Sequence, residues 1–159
     1  MKCSAVNIAI LGALLLEPCP TGGETPSDRQ REAAASGRIA VVVSARNPVN
    51  SLESAELRRI FLREKTQWPN GWPITVYERS IVNPIREQFS RIALGSKPSE
   101  LRQHWLRLQL TRGMRAPRAC SSTALLKRYL ERVKGGVGYM YLEEADDAVK
   151  VVKILEVRH

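Results

Sequence analysis

Residues 74–94 read ITVYERSIVNPIREQFSRIAL, and the change of rhythm inside that stretch decides the fold. Ile74, Val76 and Tyr77 supply a strand, whereas Ile85, Phe89, Ile92 and Ala93 recur at the three-and-four spacing of a one-sided helix. Arg79-Ser80 ends the first pattern and Asn83-Pro84 opens the second. Asn83 is a good capping residue, and Pro84 suits the first helical position, where its missing N–H is no loss. The amides of Ile85 and Arg86 are then expected to remain free at the helix mouth. Arg79 arrives from the strand end and Arg86 lies in the first helical turn, so two guanidinium groups are expected beside the positive end of a helix dipole. Such a place suits a small oxyanion. The candidate ligand set is Arg79, Ser80, Asn83, Ile85 and Arg86; the plainer reading is an ordinary helix start with both arginines solvated.

Outward from this stretch the chain alternates strand and helix. Before it, Ile39 to Val43 is a continuous run expected to form a strand buried on both faces, ended or bent by Arg46-Asn47-Pro48-Val49. Ser54 is expected to cap a helix whose inner face is Leu57, Ile60 and Phe61. Trp68 to Pro73 reads as a turn-rich loop, with Trp68 and Trp72 packing at the domain edge. After it, Gly95 stops the central helix and Lys97-Pro98-Ser99 starts another, with Leu101, Trp105 and Leu108 inward. Gly113 to Pro117 reads as a loop, and Ser122 caps a helix with Leu126, Tyr129, Leu130 and Val133 inward. Gly135 is expected to end that helix in the left-handed conformation. A strand through Tyr139, in which Gly138 permits close approach, an acidic turn over Glu143 to Asp147 and a last strand from Val149 to Val157 complete the chain. The expected class is α/β, with a mixed or mostly parallel sheet flanked by helices.

Length and charge narrow the function. At 159 residues the chain allows one ordinary domain with tails. The net charge is +9, and residues 1–36 hold three bases and four acids, so the remainder carries +10. Those bases stand mostly singly, with no like-charge block or aromatic RNA-binding signature, and no specific nucleic-acid partner is expected. Met1-Lys2 followed by the apolar run Ala5 to Leu16 has the order of a secretory signal and is too short to span a bilayer. Residues 1–20 are therefore read as a signal segment, 21–37 as a disordered linker and 38–159 as the folded part. Export to the periplasm or beyond is expected, with no transmembrane helix after signal removal. Cys120 reads as a small core hydrophobe and His104 as a packing residue. No catalytic set, metal cluster or cofactor motif is found, and an enzyme is not expected.

Several spaced pieces carry a resemblance. VVVSARNPV at 41–49, Leu57 to Phe61, the Trp68 to Ser80 segment, Arg86 to Phe89, Trp105 and Gly135 to Met140 stand in an order that resembles the phosphate-type substrate-binding proteins of ABC importers, the PstS-like group of type 2 periplasmic binding proteins. The likeness covers the folded part and looks like one lobe of a fold that elsewhere has two. It implies a lobe binding phosphate or another small oxyanion weakly, with a second lobe or protein partner over the open face. The alternative is a non-catalytic structural or protein-interaction module that has kept the fold without the ligand. Where the family reads R-S-D-G-S-G-T, residues 79–85 keep only Arg79-Ser80. Ile81 stands for the aspartate that accepts from a protonated phosphate, and Asn83 and Ile85 stand for the Ser and Thr hydroxyls.

Overall fold

The computed structural model describes residues 37–157. The expected signal segment and nearly all of the expected linker lie outside the described residues. In chain order the elements are β1 (Arg38–Ser44), α1 (Ser54–Phe61), β2 (Thr75–Arg79), α2 (Pro84–Phe89), α3 (Pro98–Arg112), β3 (Arg118–Cys120), α4 (Thr123–Arg132), β4 (Gly136–Tyr141) and β5 (Val149–Glu156). The sheet order is β3-β2-β4-β1-β5. β2 runs parallel to β3 and β4, and β1 is antiparallel to β4 and β5. β1 is thus the one reversed strand of a mixed sheet, as the α/β reading anticipated in class.

β1 explains the two layers. Its residues alternate between Ile39, Val41 and Val43, which join Leu57, Ile60, Phe61, Ile85 and Phe89, and Ala40 and Val42, which join Tyr77, Leu126, Leu130 and Met140. Alternate residues of a strand point to opposite faces, so α1 and α2 cover one face and α4 the other. The run is fully buried, which is why it reads as continuously hydrophobic. Each large side chain so removed from water contributes about 1.5–3 kcal/mol relative to exposure.

The structure departs from the sequence reading at five places. β3 falls between the expected loop ending at Pro117 and the Ser122 cap, where the sequence reading places no element: it is three residues long, and its Arg118 and Ala119 are exposed, so it carries no periodic signal. Ser54 is not the cap of α1; Glu53 occupies that position and Ser54 is already helical. Beyond Phe89 the helix widens into a π turn over Ser90–Leu94, in which the chain closes on residue i+5 rather than i+4. The inward position therefore passes from Phe89 to Leu94, which is buried, while Ile92 turns outward. Leu108 of α3 is only half-buried beside buried Leu101 and Trp105.

Gly135 is the fifth. The residues with positive φ include Gly95 and Gly113 but not Gly135, and α4 instead ends at an extended Val133. Gly135 is required for space: a Cβ there would lie 2.0 Å from the carbonyl oxygen of Pro73. The carbonyl of Gly135 accepts from the Thr75 amide and the Trp68 indole, each at 3.0 Å. Trp68 is accordingly buried in the core rather than packed at the domain edge as expected. Gly138 serves close approach as expected, with a Cβ there falling 2.7 Å from Leu126 Cδ1.

Candidate functional site

β2, β3 and β4 run in one direction, and their carboxyl ends lie together at one edge of the sheet, the usual place for a ligand in a parallel α/β arrangement. β2 delivers Glu78 and Arg79 to that edge. Tyr77 belongs to the cluster under α4 and Val76 to the cluster under α1 and α2, so alternation sends Arg79 toward the α4 face and Glu78 toward the α2 face. Two facts agree with this. Glu78 is ion-paired with Arg86 of α2, and Arg79, opposite Cys120 in register, adds its positive charge to the surroundings of the Cys120 thiol.

Arg79 is 2% exposed, and its Nε and Nη1 have no hydrogen-bond partner among the described residues. Its backbone is held by side chains: the amide donates to the Tyr139 hydroxyl at 3.3 Å, and the carbonyl accepts from Arg86 Nη1 at 2.7 Å. The Ser80 amide then donates to the Cys120 carbonyl, and the Asn83 amide to the Ser80 carbonyl, closing a turn. Ile81 and Val82 stand at its tip, 57% and 86% exposed.

Asn83 caps α2 as expected, its Oδ1 accepting from the Ile85 amide at 3.2 Å. Replacing Asn83 by Ala is expected to cost about 1 kcal/mol, within the 0.5–2 kcal/mol of such caps; a urea midpoint unchanged from the parent would show the cap to be idle. The same cap corrects the expected donors. The Ile85 amide is taken by Asn83 Oδ1 and the Arg86 amide by the Asn83 carbonyl at 3.0 Å. Ile85 turns its side chain into the core, and the Arg86 guanidinium is not solvated: its Nη1 and Nη2 are committed to Arg79 and Glu78, while its buried Nε has no partner among the described residues. Of the five candidates, the structure gathers Arg79 and Ser80 at the strand end, with Asn83, Ile85 and Arg86 forming the frame behind them.

Glu78 and Tyr139 were missed by the sequence reading. An acid inside a buried strand run demands a partner, and that signal was present in TVYER. Burial raises the Glu78 carboxyl, with Arg86 opposing the shift. Burial also raises the hydroxyls of Tyr77, Tyr139 and Tyr141 above their ordinary value of 10.0, Tyr139 most of all. The folded state therefore holds these protons more tightly than the unfolded chain, and the stability this gives is complete below about pH 10 and lost as pH rises beyond it. Thermal unfolding should show a falling midpoint above that pH, with a shallower fall in Tyr139→Phe; an identical slope in the two would contradict the assignment.

Elsewhere the described residues hold no group of three or more His, Cys, Asp or Glu placed to bind a metal ion. No helix among them is long and apolar enough to cross a membrane. His104 lies with its Nε2 at 3.4 Å from the Leu62 carbonyl, a packing position. Cys120 is buried and unpaired.

No protein-family model matches the chain, and no curated protein matches it. Solved structures do. A phosphate ABC transporter substrate-binding protein of Clostridium perfringens, solved with bound phosphate, superposes with a TM-score of 0.60 at 21% identity over 81% of this chain and 51% of that one. An ABC-type phosphate transport receptor of Vibrio cholerae gives 0.55 at 20% identity over 72% and 45%. PstS of Borrelia burgdorferi gives 0.53 at 9% identity over 77% and 52%. The chain spans about half the length of each. Its fold is that of a single lobe of these binding proteins.

Proposed function

We propose that this chain, which has the fold of one lobe of a phosphate-type substrate-binding protein, is a non-catalytic module that takes phosphate or a related small oxyanion at the carboxyl ends of β2 and β3. One observation carries the reading: the guanidinium of Arg79 is buried with Nε and Nη1 unpartnered among the described residues. A buried charge without a counter-charge is costly, and an oxyanion supplies both the charge and the acceptors. Ser80 adds a hydroxyl beside it. Asn83, Ile85 and Arg86 shape the turn, their backbone donors being engaged within it. The bound phosphate of the Clostridium perfringens protein supports the class of ligand.

The exposed Ile81 and Val82 beside Arg79 suit a face that a second lobe or protein partner covers. In the isolated chain the turn beside the buried Arg79 stays open to water at Ile81 and Val82, which weakens charge contacts made at its surface, so affinity for phosphate is expected to be millimolar, about 4 kcal/mol of binding free energy, rather than micromolar. The charged start and apolar run at residues 1–16 support action outside the cytoplasm. Calorimetric titration with phosphate, sulfate and a nonionic control tests the reading: saturable heat with an oxyanion alone is expected, and its absence for both anions overturns it.

A further inference from the structure

We infer that Glu78 and Arg86 are a positioning pair that holds Arg79 in place for the anion, and that Arg86 is not itself a ligand. The inference rests on the oxyanion reading of Arg79. β2 ends at that residue, and side chains take over where the strand stops: Tyr139 Oη accepts from its amide at 3.3 Å, and Arg86 Nη1 donates to its carbonyl at 2.7 Å. The other arm of the Arg86 guanidinium, Nη2, is ion-paired with Glu78. The side chains of the pair are 14% and 5% exposed, so the contact lies out of water. The planar fork of arginine fixes the directions of its carbonyl and carboxylate contacts together, whereas a lysine ammonium is a point charge whose donors impose no such plane.

The chain geometry gives this grip a purpose. Glu78 and Arg79 leave the same strand on opposite faces, so the pair fixes β2 from the α2 side while the binding cation stands on the α4 side. Arg86 lies in the first turn of α2, whose start is set by the Asn83 cap. Cap, fork and carboxylate together fix the angle at which α2 leaves β2, and with it the place of Arg79. Keeping a carboxylate buried here costs free energy, as the raised Glu78 pKa records, which fits a pair retained for geometry rather than for stability alone.

Titration of inorganic phosphate into the parent, Glu78→Gln and Arg86→Lys separates the possibilities by sign. Glu78→Gln releases Arg86 from its carboxylate. Were Arg86 a ligand, phosphate would bind more tightly; as a positioning residue it leaves Arg79 less well held, and a loss of about fivefold is expected. Arg86→Lys keeps the charge and removes the fork, with an expected loss of about tenfold and an unchanged dependence of log Kd on log salt, since the number of charges near the anion is the same. Melting curves establish that each variant is folded, and where Glu78→Gln is not, Glu78→Asp, which withdraws the carboxylate from Arg86 by one methylene, makes the same test of sign. Affinity equal to or above the parent in a folded variant overturns the inference while the oxyanion reading stands. A parent without saturable phosphate binding overturns that reading itself.

Discussion

Gly135→Ala is expected to destabilise the domain by about 3 kcal/mol or more, although it adds one methyl group. The ideal Cβ would sit 2.0 Å from the Pro73 carbonyl oxygen and 3.6 Å from Trp68 Cδ1. Neither neighbour is a flexible side-chain tip: the first is backbone, and the second belongs to a buried ring. Relief by moving the backbone would disturb the two hydrogen bonds to the Gly135 carbonyl from Thr75 and Trp68. Those bonds join the start of β2 to the segment leading into β4, so the loss falls on the parallel half of the sheet. Gly113→Ala is the comparison, because Gly113 has a φ of 63° with nothing within 4 Å of an added Cβ. There the cost is conformational alone, about 1–2 kcal/mol. Urea midpoints of the two variants should differ clearly; equal costs would mean that the loop at Pro73 gives way.

Arg79→Met is expected to separate stability from binding. The parent holds a guanidinium at 2% exposure with two donors unpartnered among the described residues, whereas methionine fills similar length without a charge to desolvate. Replacing poorly compensated buried charge by apolar groups is neutral or stabilising by about 1–4 kcal/mol, so the melting temperature without phosphate should hold or rise. With phosphate the order reverses. A ligand with millimolar affinity present at about 50 mM stabilises the parent by about 2 kcal/mol, and the variant should gain nothing. A methionine variant that melts well below the parent would show that Arg79 supports the fold through contacts of its own.

What the sequence made legible was local. The β1 run, the inner stripe of α1, the Asn83-Pro84 start of α2 and the stop at Gly95 each depend on residues within a turn or two, and each stands where it was read. Parallel pairing depends on residues far apart, and β3 was lost for that reason: Arg118 and Ala119 are exposed, and only their register with Tyr77 and Glu78 makes them a strand. Gly135 showed the right residue for the wrong cause, since a crowding carbonyl 62 positions earlier leaves no mark in the local pattern. At the candidate site, Arg79 stood out in the sequence by its chemistry and its place before a capped helix. The pairing of Arg86 with Glu78 was not legible, because it follows from strand alternation and burial, neither of which the turn itself encodes.

The central claim is that Arg79 is the cation an oxyanion meets. Calorimetric titration of inorganic phosphate into the parent, Arg79→Ala and Arg102→Ala tests it most directly, because Arg102 is an exposed residue of α3 and its loss changes the net charge equally. Charge-assisted contacts contribute about 1.5–3 kcal/mol, so Arg79→Ala should bind at least about tenfold more weakly while Arg102→Ala binds as the parent does. Equal weakening in both variants, the mark of diffuse attraction to a basic surface, or parent-like binding by Arg79→Ala, would contradict the account.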